Sequence, residues 1–269
     1  MFRTGKAVIG MIHVPALPGA PRCSMNFEKI RQFVLADSAA LAEGGVDGLM
    51  IENFGDVPFY ASRVPAHTVA FLSTLAFEIK TRFLLPLGIN VLRNDGISAI
   101  AIAAAVGAEF VRVNVYTGAR LADQGILQGE AQEITRYRRA LGITAQIWAD
   151  VAVKHSAALG DRSLGHEVED TVERGLADAV IVSGTSTGKP TALEDVRTVK
   201  SHAGGAAVYV GSGVDESTVE TLLEVADGAI VGTAFKLGGE VSAPVDRRRV
   251  SALVSIVRRR FTGERPASE

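Results

Sequence analysis

The sequence predicts a single (β/α)8 barrel, the TIM-barrel fold, and three observations support this prediction. Short runs of β-branched residues alternate with helical patterns from one end of the chain to the other. Eight such strand–helix units fit into 269 residues, a usual length for one barrel domain. Several helix-to-strand junctions also share one design, a small residue or glycine followed by an acidic residue, as at 44–48, 107–109 and 226–228.

The predicted strands are short, apolar and rich in β-branched residues. They comprise residues 7–13, 48–53, 86–91, 110–116, 144–151, 179–183, 207–212 and 229–233. The predicted helices alternate with them, near residues 28–43, 67–81, 95–106, 129–141, 166–176, 192–203, 217–226 and 246–261. Apolar residues in these segments follow helical spacing: Val250, Leu253 and Val257 fall at i, i+3 and i+7.

One domain accounts for the chain. We expect the barrel to span residues 1–262 and residues 263–269 to form a disordered tail. The rival architecture is a doubly wound open sheet, in which a glycine-rich dinucleotide fingerprint would follow the first strand. Residues 13–19 instead read His-Val-Pro-Ala-Leu-Pro-Gly, which favours the barrel.

Composition excludes several classes of protein. The chain carries 28 Lys and Arg against 30 Asp and Glu, a balance that argues against a basic face for nucleic acid or membrane lipid. Its single cysteine, Cys23, excludes an intramolecular disulfide and is typical of a reducing compartment. The apolar tracts are too short to span a bilayer. We therefore expect a cytoplasmic protein with no nucleic-acid partner and no integral membrane segment; a homo-oligomer is compatible with the sequence.

Polar residues interrupt the predicted strands at positions that share a face. Because side chains alternate along a strand, Arg112 and Asn114 lie on one face of the fourth strand and Val113 lies on the other. Burying a charge is costly unless the charge is paired, so several charges near strand ends indicate a site at one end of the barrel. For any single residue, the alternative is a buried polar network that satisfies itself.

These strands supply the predicted site. Glu52 and Asp150 are the predicted catalytic carboxylates, because an isomerase or lyase needs a positioned base near the reacting carbon. The predicted binding residues in this part of the chain are His13, Asn53, Asn90, Arg112, Asn114 and Trp148. Lys154 is a further catalytic candidate: it would form a Schiff base in an aldolase, or else it pairs with Asp150.

Glycines and hydroxyl residues follow the last three predicted strands. These predicted binding residues are Ser183, Gly184 and Thr185 after the sixth strand, Gly211, Ser212 and Gly213 after the seventh, and Gly232 and Thr233 after the eighth. Glycines let backbone N–H groups approach an anion, and barrel enzymes often bind phosphate in the loops after strands seven and eight. The pattern therefore predicts a phosphorylated small-molecule ligand.

No cofactor and no metal site are predicted. The chain has no cysteine pair, no His-x-x-x-His and no Asp-rich calcium loop. His13, Glu52 and His155 are residue types that ligate metals, but their spacing does not indicate a site.

Five segments together carry a family resemblance. They are GMIHVPALPG at 10–19, DGLMIENFGDVPF at 47–59, GINVLRND at 88–95, RVNV at 112–115 leading to DQG at 123–125, and ADVAVKH at 149–155. The chain resembles the BtpA family through them, from about residue 5 to residue 258. The resemblance implies a barrel of the phosphate-binding type. It also implies two different functions, because the family is named for a photosystem I biogenesis factor whereas some relatives are encoded with sugar-uptake systems.

Two classes of function follow from these patterns. The first is an isomerase or a lyase of the aldolase type, which acts on a phosphorylated sugar or nucleotide-like metabolite by carboxylate acid–base chemistry at the C-terminal end of the barrel. The alternative is a non-catalytic protein, either an assembly factor of the photosystem I biogenesis kind or a phosphosugar sensor.

Overall fold

The computed structural model describes residues 2, 5–153, 155–184 and 191–262, and eight parallel strands within them form a closed barrel. The strands are β1 (Ala7–His13), β2 (Gly48–Glu52), β3 (Leu87–Asn90), β4 (Phe110–Val113), β5 (Gln146–Val151), β6 (Ala179–Val182), β7 (Ala207–Val210) and β8 (Gly228–Val231). Each strand pairs with its neighbour in this order, and β8 closes the barrel by pairing with β1. The predicted fold class is therefore confirmed. Lys154, Thr185 and the predicted tail at 263–269 lie outside the described residues.

Helices follow the strands and cover the outside of the barrel. They are α1 (Phe27–Glu43), α2 (Ala66–Arg82), α3 (Gly96–Val106), α4 (Ala131–Ala140), α5 (Leu164–Glu169), α6 (Leu193–His202), α7 (Val219–Leu223) and α8 (Arg247–Phe261). Side-chain caps set where several of them begin. Asp95, for example, accepts a hydrogen bond from the backbone N–H of Ser98 at 2.9 Å and starts α3.

Local hydrogen bonds explain why some elements are shorter than predicted. α7 begins at Val219 rather than near 217, because the Asp215 carboxylate accepts bonds from the backbone N–H groups of Ser217 and Thr218 and holds them in a turn. The predicted helix at 166–176 divides into α5 and a π-helical turn, Asp170–Arg174. β4 ends at Val113 rather than Tyr116, since the N–H of Val115 donates to Asn94 Oδ1 at 2.7 Å.

A small antiparallel sheet lies outside the barrel order and was not predicted. Its strands are Ala119–Ala122, Gly125–Gln128 and Ser156–Ala158, which belong to the loops after β4 and β5. The first two form a hairpin whose turn contains Asp123. These strands are short and mostly exposed, so they lack the buried apolar alternation that identifies a strand from sequence.

The barrel interior is filled by aromatic residues near the end where the strands begin. The Phe110 and Trp148 rings stack with centroids 4.0 Å apart, and the Tyr209 ring stacks on Trp148 at the same distance. Phe2 meets all three edge-on. Trp148 is fully buried in this stack and lines neither of the two cavities described below, and the binding role predicted for it stays a prediction.

A buried ion pair ties the loop after β8 to helix α1. Lys236 Nζ donates to Asp37 Oδ2 at 2.5 Å, and the N–H of Val245 donates to Asp37 Oδ1 at 2.8 Å. Both charged side chains are almost completely buried, at 0% and 2% exposure. Their attraction is therefore weakly screened, and the loss of either partner would leave an uncompensated buried charge.

We expect Lys236→Met to lower the free energy of unfolding by about 3–5 kcal/mol, because it leaves Asp37 charged and buried. The matched control is Lys200→Met, which breaks another Lys–Asp pair of the same length whose lysine is 40% exposed. That exposed pair is expected to contribute about 0–1 kcal/mol. Urea unfolding followed by Trp148 fluorescence measures both variants. Equal losses in the two would show that burial of the pair does not matter.

Candidate active site

Four neighbouring strands place polar side chains next to one another at the end of the barrel where the strands finish. Along the strand pairing, His13 lies opposite Glu52, Glu52 opposite Asn90, and Asn90 opposite Arg112. All four residues are buried. Closure of the barrel turns the predicted inward face of these strands into one continuous row of polar groups, which we call the polar row.

His13 and Glu52 form an acid–base pair within the polar row. His13 Nε2 lies 3.5 Å from Glu52 Oε1, and the His13 ring packs against the Phe54 ring with centroids 4.6 Å apart. Gly232 approaches the other side of the imidazole so closely that a Cβ there would lie 2.6 Å from His13 Cε1. A side chain at position 232 would therefore displace His13. A carboxylate beside an imidazole is a combination that transfers protons in many enzymes.

Asp150 and Asn114 hold the guanidinium of Arg112. Arg112 Nε donates to Asp150 Oδ1 at 3.1 Å and Nη2 donates to Asp150 Oδ2 at 3.0 Å. Asn114 Nδ2 donates to the same Oδ2 atom at 2.6 Å. Asp150 lines neither cavity, and both of its oxygens are engaged. The geometry shows that Asp150 orients Arg112, and the catalytic role predicted for Asp150 stays a prediction.

The electrostatics of this cluster keep Arg112 charged. Burial opposes the charge, but the carboxylates of Asp150 and Glu52 outweigh it and raise the pKa of Arg112. Asn90 supports the same cluster, since its Nδ2 donates to the backbone carbonyl of Arg112 at 3.0 Å and to Asn114 Oδ1 at 3.3 Å. Arg112 is thus a buried positive charge that interacts electrostatically with Glu52.

The loops after β7 and β8 enclose a cavity of about 200 Å³, which we call the β7–β8 cavity. Its walls include Gly211, Ser212, Gly213, Gly232 and Thr233, all of them predicted binding residues, together with His13, Glu52 and Arg112 from the polar row. Gly213 has a φ of +67°, a left-handed conformation that favours glycine. The backbone N–H groups of Gly213 and Val214 donate to no other atom of the described residues. Two unused N–H donors in one cavity wall suit an anionic oxygen.

Arg249 adds a positive charge to the β7–β8 cavity. It extends from α8, and its Nε donates to the backbone carbonyl of Ala234 at 2.7 Å. Its terminal Nη groups have no hydrogen-bond partner among the described residues. Asp215 also lines the cavity; burial raises its pKa, but hydrogen bonds from Ser217 and Thr218 outweigh burial and the net pKa is lowered. Because the N–H groups of Ser217 and Thr218 donate to it, the Asp215 Oδ1 atom faces the turn at 215–218.

Ser183 brings an unused hydroxyl close to the same region. It is 5% exposed, and its Oγ has no hydrogen-bond partner among the described residues. A Cβ on Gly211 would lie 2.9 Å from Ser183 Oγ and 3.5 Å from Arg112 Nη2, so both polar groups flank Gly211. Gly184 follows Ser183 and is buried, and it lines neither cavity.

A second cavity of about 360 Å³ adjoins the polar row on the side of β2 and β3, and we call it the apolar chamber. Phe54, Val57, Phe59 and Leu92 form its apolar wall. Its polar groups are Arg93, Asn114, Asp123 and His155, together with Glu52 and Arg112. Glu52 and Arg112 line both cavities, so these two residues stand where the cavities meet.

Asn53 makes hydrogen bonds between two loops, and the binding role predicted for it stays a prediction. Its Oδ1 accepts from the N–H of Leu92 at 2.7 Å, and its Nδ2 donates to the Leu92 carbonyl at 3.3 Å and to Asp56 Oδ2 at 3.1 Å. It lines neither the β7–β8 cavity nor the apolar chamber. Asn53 instead joins the loop after β2 to the loop after β3.

Sequence reasoning did not select Arg249, Arg93 or Asp123 as site residues. Arg249 lies on a helix with many arginines, and nothing in that pattern distinguishes it. Arg93 and Asp123 stand inside two of the segments that resemble the BtpA family, which was the available signal for them. Burial lowers the pKa of Arg93, while the nearby carboxylates of Asp150 and Asp123 act in the opposite direction.

No group of three or more His, Cys, Asp or Glu side chains in the described part of the chain is arranged to hold a metal ion. None of the helices described is long and apolar enough to cross a membrane.

The sequence matches known proteins over almost its whole length. The model of the BtpA family matches residues 4–259. The chain belongs to the BtpA family. It is 44% identical over 253 residues to the photosystem I biogenesis protein BtpA of Synechocystis sp., a match that covers 94% of this chain and 88% of the relative. An uncharacterized protein of Pyrococcus furiosus is 43% identical over 249 residues, covering 93% of this chain and 94% of the relative.

Solved structures share the fold with this BtpA-family member at low sequence identity. Orotidine 5'-phosphate decarboxylase from Pyrococcus horikoshii superposes with a TM-score of 0.59 at 14% identity, covering 93% of this chain and 99% of that one. Phosphoribosyl anthranilate isomerase from Thermus thermophilus gives a TM-score of 0.55 at 10% identity, covering 93% and 98%. These proteins are barrels named for reactions on phosphate esters, and the likeness establishes the fold.

The unused hydroxyl of Ser183 leads to a stability prediction. We expect Ser183→Ala to change the free energy of unfolding by less than about 0.5 kcal/mol in phosphate-free buffer, because no hydrogen bond to a described residue is lost. The comparison is Thr191→Val, which removes a buried hydroxyl that donates to the Ser212 carbonyl at 2.9 Å and should cost about 1 kcal/mol. Urea unfolding measures both. A loss in Ser183→Ala as large as that in Thr191→Val would contradict an unused hydroxyl.

Proposed function

We propose that this BtpA-family member is an enzyme that binds a phosphate ester and moves a proton with Glu52, in an isomerase or lyase reaction. The observation that carries the proposal is the position of the His13–Glu52 pair, at 3.5 Å, where the β7–β8 cavity meets the apolar chamber. A buried carboxylate at the junction of two cavities, beside an imidazole and a fixed arginine, is a typical acid–base arrangement.

The phosphate is assigned to the β7–β8 cavity. The backbone N–H groups of Gly213 and Val214 are free to donate to phosphate oxygens, and Arg249 supplies the opposite charge. Thr233 adds a hydroxyl from the loop after β8. Phosphate in the loops after the last two strands is also the usual arrangement in barrels of this kind, which supports the assignment.

The chemistry is assigned to the polar row. Glu52 takes a proton from a carbon next to a carbonyl or imine of the bound substrate and returns it to a neighbouring atom, with His13 able to share the proton. Negative charge that develops on the substrate oxygen is stabilised by Arg112, whose orientation Asp150 fixes. The aldolase variant with a Schiff base at Lys154 stays a second form of the same proposal. We place the protein in the cytoplasm, with a phosphorylated metabolite as its ligand.

A second function is favoured by one specific observation, the name of the Synechocystis relative as a photosystem I biogenesis protein. An assembly factor would retain the barrel and use it to bind a partner. A sensor would bind the phosphate ester without converting it. Both alternatives predict that Glu52 is dispensable, which separates them from the enzyme.

Anion binding is tested with Gly213→Asp, which adds a negative charge to the β7–β8 cavity wall. Inorganic phosphate and ribose 5-phosphate at about 100 times their dissociation constants should stabilise the wild-type protein by about 2.7 kcal/mol. The variant should lose this stabilisation, as measured by thermal unfolding.

The matched control for that experiment is Gly204→Asp, which places the same side chain at a similarly left-handed φ of +57° with no atom near its Cβ. Arg249→Gln should weaken the ligand-induced shift, whereas Arg248→Gln on the exposed side of α8 should not. An anion site elsewhere is indicated if phosphate stabilises Gly213→Asp and the wild-type protein alike.

Proton transfer is tested with Glu52→Gln. In deuterated water, the wild-type protein should exchange a carbon-bound hydrogen of one member of a mixed pool of sugar phosphates and nucleotide-like phosphate esters, observed by NMR. The variant should slow this exchange by about 10²–10⁴-fold while it retains phosphate-induced stabilisation, because the amide cannot accept the proton. Equal exchange in both proteins would exclude Glu52 as the base, and binding without any exchange in either would favour the sensor.

A further inference from the structure

We propose that the substrate carries a flat, largely apolar ring in addition to its phosphate, and that the apolar chamber binds this ring. The inference rests on the proposed phosphate site and narrows the substrate to a phosphate ester of an aromatic or heteroaromatic compound, rather than a simple sugar phosphate.

The first support is the composition of the chamber wall. Phe54, Val57 and Phe59 are only partly covered by the rest of the protein, and together with the buried Leu92 they surround about 360 Å³ of space. A ligand that carries only hydroxyl groups would leave these side chains without a complementary partner. A flat apolar ligand would remove them from water and would stack on the phenyl rings.

The second support is the combination of polar groups with an apolar surface: six of the ten lining residues are polar or charged, but most of the exposed lining surface is apolar. Arg93 and Asn114 line the chamber from the loops after β3 and β4, and Asp123 lines it from the turn of the unpredicted hairpin. Asn114 Nδ2 already donates to Asp150, so only its second N–H is left for a ligand, and Asp123 Oδ2 already accepts from Gln124, so its Oδ1 is the oxygen left for a ligand. An apolar site with a few fixed polar groups is typical of pockets that bind small molecules, where the polar groups orient the ligand. We therefore expect the ring to carry polar atoms on its edge.

The third support is that the two cavities adjoin the same side chains. Glu52 and Arg112 line both the β7–β8 cavity and the apolar chamber, so a ligand that occupied both would contact these two residues. With its phosphate in one cavity and its ring in the other, the ligand presents the linking atoms to Glu52. The reacting carbon then lies between the ring and the phosphate-bearing part. This position follows from the two cavities together and not from either one alone.

The experiment compares dissociation constants for inorganic phosphate, ribose 5-phosphate, uridine, uridine 5'-monophosphate and adenosine 5'-monophosphate by isothermal titration calorimetry. At least one nucleotide should bind about tenfold or more tightly than ribose 5-phosphate, the affinity gain from burying a ring. Phe59→Ala should abolish most of this gain and leave ribose 5-phosphate binding within about twofold of the wild-type value. Phe59→Leu, the milder replacement, should retain part of it.

Phe77→Ala is the matched control, because it removes a phenyl ring that is 56% exposed on α2, away from both cavities. Equal affinity for the nucleotides and ribose 5-phosphate in the wild-type protein would overturn the ring site and leave the phosphate site standing. An equal loss for all ligands in Phe59→Ala would also overturn it. Phe59-dependent uridine binding without phosphate or ribose 5-phosphate binding would overturn the phosphate site instead, and no binding of any probe would overturn both.

Discussion

The buried contact between Arg112 and Asp150 is the constraint around which the site is built. Removing two charges from water costs several kcal/mol, and the attraction repays this only when the remaining donors and acceptors are also satisfied. Here the Asp150 carboxylate accepts hydrogen bonds from two guanidinium nitrogens of Arg112, and its Oδ2 atom also accepts one from Asn114. Asn90 donates to the backbone carbonyl of Arg112. The result is a rigid positive charge in the wall that the two cavities share, placed before any ligand arrives.

Barrel geometry explains why this charge stands beside Glu52. Parallel strands pair in a fixed register, so residues chosen one per strand form a row across the barrel. Groups on strands keep their positions better than groups on loops, which suits the residues that would handle protons and developing charge. The loops add what the row lacks: glycine N–H groups and Arg249 on one side, and the apolar side chains of the chamber on the other.

The sequence was sufficient for the fold and for the inward-facing residues, because both depend on periodicity. His13, Glu52, Asn90 and Arg112 were identified by alternation within a strand, and their alignment between strands needed only the barrel. The sequence does not show which side chains form hydrogen bonds with one another. Nothing in the spacing of Asp150 shows that Arg112 and Asn114 occupy both of its oxygens, and Trp148 shares the inward face with Asp150 yet lies in the aromatic stack. Alternation along a strand shows which side chains point inward. It does not show whether an inward side chain lies in the core or at the end of the barrel that forms the site.

The loops that border the two cavities are held in place by contacts outside the cavities. The loop after β8 is joined to α1 by the buried pair of Lys236 and Asp37, and the loops after β2 and β3 are joined to each other through Asn53 and Leu92. A ligand that spans both cavities is held by two sets of loops on opposite sides of the polar row, so its position relative to Glu52 depends on both connections. Misplacement of a substrate by about 1 Å can slow a reaction by about 10²-fold. If the proposed ligand binds in both cavities, Asn53, Asp37 and Lys236 act on its position through the loops that they join, although none of them lines either cavity.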